Sequence, residues 1–358
     1  VSADAASAVS AAQPAGRAAP AAGFRVAVIG ATGAVGREAV ALLQKRRFPV
    51  SRLDLFCSDR SAGEEFRFHD RTVAAKPLDI DALAGCEYAI LCVDAALARE
   101  LAPKLARRNV VAVDNSSAFR MDPAVPLVVP EINGHLLRGT PRLVANPNCT
   151  TIVSLMAAAP LHRAARLRRM TVCSYQAVSG AGLAAMRDLE AQARAWASGA
   201  AAPASVFPRP ALFNVFPHNS PRMADGSNEE EGKLLRESRR LLDLADLRVS
   251  ATCVRVPTLR AHAVALHLEF ESPMDPVLAA EILGAAPGVR VVDESAGAPP
   301  ADPLMATGLD DVLVSRIRVD HGGEPGRSLA LWAVGDQLLK GAALNAQQIL
   351  ERIALAAE

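Results

Sequence analysis

The sequence predicts an α/β protein of two domains, a doubly wound parallel sheet followed by an α+β domain whose sheet is mostly antiparallel. Three observations carry that expectation. The chain has 358 residues, half of them apolar, which is more than one ordinary core accommodates. From Phe24 onward short apolar runs alternate with helical patterns, the rhythm of a parallel sheet. From Leu247 onward the strands follow one another with little helix between them, as antiparallel sheets do.

Composition excludes several classes of function. Net charge is +1 with acids and bases interspersed, so no basic stripe is available to follow a nucleic-acid backbone. No apolar run reaches the roughly 18 residues of a membrane span. The cysteines at positions 57, 86, 92, 149, 173 and 253 form neither CxxC pairs nor metal-ligand spacings with histidine. Disulfides and a metal site are therefore not expected, and a reducing compartment fits.

The elements follow in order. Residues 1–23 are Ala- and Ser-rich with one acid, Asp4, and one base, Arg17, and they lack the apolar bulk to offset the entropy of ordering. They read as a disordered leader. "FRVAVIG" is a strand, "ATGAVG" a glycine turn, "REAVALLQKRRF" a helix and "RLDLFC" a second strand. Further strands are expected at "YAILCV" and "VVAVDNS", separated by the helical "LARELAPKLARRN". "IVSLMAAAPL" opens the second domain as a helix, "MTVCSYQAV" is a strand and "LAAMRDLEAQARAW" another helix. Residues 199–221 read as a long irregular connection, followed by strands at "LRVSATCVRVP", "AVALHLEFES", "DVLVSRIRVD" and "SLALWAVG". "QLLKGAALNAQQILERIAL" reads as one amphipathic helix.

Two motifs carry chemistry. Gly30, Gly33 and Gly36 follow a strand and open a helix, where backbone amides can approach a pyrophosphate and the helix dipole favours its charge. With a second strand after the helix, the turn reads as a Rossmann-type dinucleotide site rather than as glycines kept only for close strand-helix packing. At the end of that second strand "CSDRSAG" offers Asp59 for a ribose and Arg60, flanked by serines, for an additional phosphate; the arginine cluster favours NADP. The other motif is "ANPNCTT". Cys149 stands at a helix start, where dipole and free amides favour a thiolate. His262 in "RVPTLRAH", with Arg255 upstream, offers a proton partner. A lone histidine is more often structural, and only its reach decides between the two readings.

Taken together, "GATGAVG", "RSAG", "VDNSSAFR", "VPEIN", "ANPNCTT", "SYQAVSGAG", "EEEGK", "CVRVPTLRAH" and "GDQLLKGAALNAQQI" resemble the aspartate-semialdehyde dehydrogenases, in order and over nearly the whole chain. "SNEEEGKLLRESRRLL" with "VSATCVRVPTLRAHA" resembles the plant and algal branch most, so that the leader reads as a plastid transit-peptide remnant and the location as the plastid stroma, or the cytoplasm for any other source. The resemblance implies NADPH-dependent reduction of aspartyl phosphate to aspartate semialdehyde, toward lysine, threonine and methionine. It implies Cys149 as nucleophile forming a thioester, His262 as acid and base, Asn148 orienting the thiol or stabilising the oxyanion, and Gln176 positioning the acyl group. Arg255 would hold the substrate carboxylate, Glu230 its amino group, and Arg120 and Lys233 phosphate. For the cofactor it implies Gly30, Thr32, Gly33, Ala34, Val35 and Gly36 at the pyrophosphate, Arg60 and Ser61 at the 2'-phosphate, Ser179 and Gly180 near the nicotinamide, and Gln337. The NADP domain would span 24–148 and be completed by 336–358, the catalytic and dimerisation domain 149–335, in a homodimer or homotetramer acting on small molecules.

Some positions depart from the family pattern. Asp94 stands in "VDAAL" where relatives often carry a glycine-rich run close to the cofactor, which puts cofactor affinity in question. Gly232 replaces a larger residue, and "AVALH" follows His262 where a more polar run is usual. Two rivals stand beside the main reading: a reductase of N-acetylglutamyl phosphate, whose family has glycine before the cysteine where this chain has Asn148, and an inactive nucleotide-binding relative, against which the intact "NPNC" argues.

Overall fold

The computed structural model describes residues 23–201, 206–294 and 297–355. The leader, with the transit-peptide reading placed on it, lies outside the described residues apart from Gly23. The first domain is built on a six-stranded sheet of order β5-β2-β1-β6-β7-β8, all of whose pairings are parallel. Its strands are β1 (Phe24–Ile29), β2 (Val50–Cys57), β5 (Lys76–Pro77), β6 (Tyr88–Leu91), β7 (Val111–Asp114) and β8 (Leu143–Ala145). A hairpin that the sequence reading did not anticipate, β3 (Glu65–Phe68) with β4 (Arg71–Ala74), sits beside it. The central strand reads as continuous apolar residues because helices cover both its faces. The helices are α1 (Ala34–Lys45), α2 (Ala95–Arg107) and the short α3 (Pro130–Asn133).

The second domain is a seven-stranded sheet of order β10-β11-β9-β12-β15-β14-β13. Its strands are β9 (Leu167–Gln176), β10 (Phe216–Pro217), β11 (Arg248–Arg255), β12 (His262–Phe270), β13 (Val289–Val291), β14 (Val312–Val319) and β15 (Ser328–Gly335). The expected antiparallel character holds for most pairings; β9 with β11 and β13 with β14 run parallel. Helices α4 (Cys149–Ala165), α5 (Leu183–Ala197), α6 (Glu229–Leu241), α7 (Pro276–Gly284) and α8 (Pro303–Ala306) complete it. Helix α4 is apolar all round, and Ile152, Val153, Leu155, Met156 and Leu161 are buried in the main core of this domain. A helix without a polar face has to lie at a centre.

The last segment differs from the single helix expected. Leu339–Ala343 forms a π turn before α9 (Leu344–Leu355) begins. Lys340 lies within it, and its buried ammonium donates to Glu131 at 2.5 Å, Gln348 at 2.7 Å and Asn345 at 2.9 Å. A charge that deep has to be fully paired. Leu344, Ile349 and Leu350 of α9 share one core with Val26 and Val28 of β1 and Val40 of α1, so the end of the described chain packs in the first domain.

Candidate active site

The glycine turn is shaped by close approach. Gly30 sits at φ +86°, and a Cβ there would lie 2.2 Å from the Cys92 carbonyl oxygen. At Gly36 a Cβ would lie 2.2 Å from the Gly30 carbonyl oxygen. The cap of α1, Gly33, brings no side chain, so the first-turn amides of Ala34, Val35 and Gly36 lack a cap from that residue. Such a cradle fits a dinucleotide pyrophosphate. Arg60 and Ser61 occupy a 3₁₀ turn, Asp59–Ser61, just beyond β2, with Arg60 exposed.

A cavity of about 440 Å³ opens where the two domains meet. Val35, Asp94, Arg120, Asn148, Cys149, Gln176, Ser179, Gly180, Glu230, Lys233, Arg255 and Gln337 all line it. Its wall does not include Gly30, Thr32, Gly33, Ala34, Gly36, Arg60, Ser61 or His262. His262 stands just behind Gly180: a Cβ on that glycine would come within 3.2 Å of His262 Nε2 and 3.0 Å of Arg255 Nη1.

Asn148 caps α4, its side-chain oxygen accepting from the amides of Thr150 at 3.0 Å and Thr151 at 3.1 Å, which sets Cys149 at the first helical position. Its side-chain nitrogen donates to Glu230 at 2.8 Å, and its backbone N–H donates to Glu237 at 2.6 Å. Glu237 also pairs with Arg120 at 3.2 Å, whose remaining bonds go to the carbonyls of Asn146 and Asn115 at 2.9 Å each. One buried carboxylate thus fixes both the turn that carries Cys149 and the arginine beside it. The sequence reading missed Glu237, although its position seven residues after Glu230 puts both on one helix face.

Electrostatics differ from the expectation at Cys149. Burial pushes its thiol up to about 11 and Glu230 adds to this, while Arg120, Thr150 and Arg255 pull the other way. Desolvation outweighs the helix dipole, whose worth is only about 0.3–1 kcal/mol near a surface. The thiol is protonated at neutral pH in this form. Glu230 behaves oppositely: burial opposes its charge, but Lys233 foremost, with His218, Asn148 and Arg120, holds it down at about 2. Burial and Arg255 bring His262 down to about 3, so its ring is neutral. Its Nδ1 accepts from the Ala177 amide at 3.1 Å, which leaves the proton on Nε2. Ala261, just before it, is a non-glycine residue at φ +69°, held there by its N–H bond of 2.8 Å to Gln337.

Two of the departures have physical reasons. Asp94 is the cap of α2 and accepts from Ala96 at 2.9 Å and Leu97 at 3.0 Å, so its carboxylate is turned onto its own helix. Gly232 leaves room for the loop before α6, since a Cβ there would lie 2.7 Å from Met223 Sδ. His218 is a further cavity residue that the sequence reading passed over. Among the described residues there is no cluster of metal-binding side chains and no helix long and apolar enough to cross a membrane.

Fold and cavity together define a two-domain, nicotinamide-dependent dehydrogenase. Residues 25–140 match the semialdehyde dehydrogenase NAD-binding domain, and residues 158–340 match the semialdehyde dehydrogenase dimerisation domain. An aspartate-semialdehyde dehydrogenase of Synechocystis sp. is 45% identical over 92% of this chain and 96% of its own length. One from Aquifex aeolicus is 43% identical over 92% and 97%. The crystal structure of aspartate semialdehyde dehydrogenase II from Vibrio cholerae superposes with a TM-score of 0.87 at 36% identity, covering 92% of this chain and 98% of that one. The chain belongs to the aspartate-semialdehyde dehydrogenase family.

Proposed function

We propose that the chain reduces L-aspartyl 4-phosphate to L-aspartate 4-semialdehyde, releasing phosphate, through a thioester on Cys149. The carrying observation is the single cavity in which Cys149 heads α4 among two sets of groups, Arg120 and Lys233 on one hand, Arg255 and Glu230 on the other. The first set suits a phosphate, the second the carboxylate and ammonium of an amino acid. Cys149 attacks the acyl carbon, its Sγ–C bond forming as the C–O bond to phosphate breaks and its thiol proton passing to the departing phosphate, which leaves as the dianion held by Arg120 and Lys233. Bound nicotinamide supplies the hydride for the thioester carbon. His262 donates an Nε2–H hydrogen bond to the oxygen on which charge collects. That oxygen re-forms the carbonyl as the Sγ–C bond breaks, and Cys149 recovers a proton from solvent. In the opposite direction His262 serves as base only by giving up the Ala177 bond. Gln176, whose side-chain nitrogen is 2.9 Å from Thr150 Oγ1, orders the floor beside the acyl group.

NADP is the cofactor of this reading, with Arg60 and Ser61 at the additional phosphate and the α1 amides at the pyrophosphate. Ser179 and Gln337, bonded to each other across the domain boundary, flank the nicotinamide. The dimer is assigned to the second domain, in keeping with the dimerisation-domain family that it matches. Plant and algal kinship, with a plastid location, rests on the "SNEEEGKLLRESRRLL" resemblance.

The test follows absorbance at 340 nm with aspartate semialdehyde and phosphate, using NADP and NAD in turn. Phosphate-dependent turnover is expected for the unmodified chain, and Cys149→Ala abolishes it. Arg60→Ala raises the KM for NADP about 10- to 100-fold and barely changes that for NAD. Turnover that ignores phosphate, or that survives Cys149→Ala, overturns the reading.

A further inference from the structure

Donors without acceptors surround one corner of the cavity. Arg255 is buried, and its Nε has no hydrogen-bond partner. The Nε2 of His262 is buried and equally unmatched. Arg255 Nη1 donates to the Ala177 carbonyl at 2.7 Å, and Nη2 lies 2.8 Å from Nε2 of His218.

The contact with His218 is itself mismatched. His218 follows β10, which pairs with Val254 and Arg255, and its own amide donates to the Cys253 carbonyl at 2.8 Å. The ring is thereby held in register with Arg255. Its Nδ1 accepts from the Ser220 amide at 3.2 Å. Burial pushes its pKa down to about 4, with Arg255 adding to the fall, so the ring is neutral. A neutral imidazole has one lone pair for hydrogen bonding, yet both of its nitrogens face N–H donors. With the Ser220 bond in place, His218 Nε2–H and Arg255 Nη2–H converge on one point. A buried donor left unmatched costs about as much as a lost hydrogen bond, and an acceptor placed between the two relieves both.

We propose that His218 is a substrate-binding residue that shares the α-carboxylate of the substrate with Arg255. One carboxylate oxygen takes the His218 Nε2 proton and an Arg255 proton, and the other meets Arg255 Nε. Phe207 lies against the guanidinium, its centroid 5.4 Å from Cζ. Glu230 faces the same corner and takes the ammonium on the same carbon. This rests on the reaction proposed above; what it adds is the residue that distinguishes an aldehyde bearing an α-carboxylate from one without it.

The experiment compares kcat/KM for aspartate semialdehyde and for 3-aminopropanal, the same aldehyde without its carboxylate, in the unmodified chain, His218→Ala and His218→Gln. The unmodified chain prefers the carboxylate substrate. His218→Ala narrows that preference about 10- to 100-fold. His218→Gln, whose amide still donates, restores most of it. Should the Ala variant melt early, His218→Met, apolar and of similar reach, takes its place. Equal losses on both aldehydes, or an unchanged preference, overturn the proposal. An unmodified chain that turns over neither aldehyde overturns the reaction itself.

Discussion

Helices α1 and α2 both follow strands of the parallel sheet and both point their N-termini toward the cavity, yet they end differently. At α1 the cap is Gly33 and offers no side chain; at α2 it is Asp94, whose carboxylate covers two of the amides. Equal dipoles thus give unequal sites: one end is left open to a phosphate and the other is already occupied by the chain's own anion. Helix α4 stands between these cases. Its amides are capped by the neutral Asn148, which satisfies the backbone without placing charge beside Cys149.

Breaking the open end has the largest expected effect. Gly30→Ala forces a side chain into the left-handed region and against the Cys92 carbonyl, so urea denaturation should show a loss of roughly 4 kcal/mol or more. Next comes Glu230, which faces α4. Its pKa of about 2 lies below the usual 4.5, so its contribution is complete above pH 4.5 and disappears as pH falls toward 2. The stability gap between the unmodified chain and Glu230→Gln should shrink over that window, by up to about 3 kcal/mol. Asn148→Ala removes the α4 cap and should cost about 1–2 kcal/mol in the same assay, together with most of the turnover. Smallest is Asp94→Ala, which opens α2. It should lower stability by about 1 kcal/mol while tightening NADPH binding, read by titration of the nucleotide's fluorescence. Unchanged nucleotide affinity there would show that the α2 terminus plays no part in anion binding.

What could be read from the sequence follows from how each residue is positioned. Gly30, Asn148 and Cys149 carry local signals: a glycine turn between strand and helix, and an Asn before an apolar helical run. The same rule applies to Asp94, a capping residue before "AALARELA". His218 was not legible because its place depends on a two-residue strand within a Pro-rich stretch, fixed by pairing with a strand nearly 40 residues on. Cys149's raised pKa was hidden for another reason: helix position is a sequence property, whereas burial belongs to the assembled cavity. The π turn carries no local signal, and the partner of its lysine, Glu131, lies more than 200 residues away.

That turn governs when the site comes into being. A Cβ on Gly341 would lie 3.0 Å from Cys149 Cβ, so residues nearly 200 positions further on form the wall against which Cys149 rests. During synthesis the first domain emerges with part of its core missing, and Cys149 is made long before anything shields it. The chain therefore cannot assemble this centre progressively. The π turn and α9 must return to pack on β1 and α1, a long-range closure of the kind that slows folding and leaves apolar surface exposed in the interval.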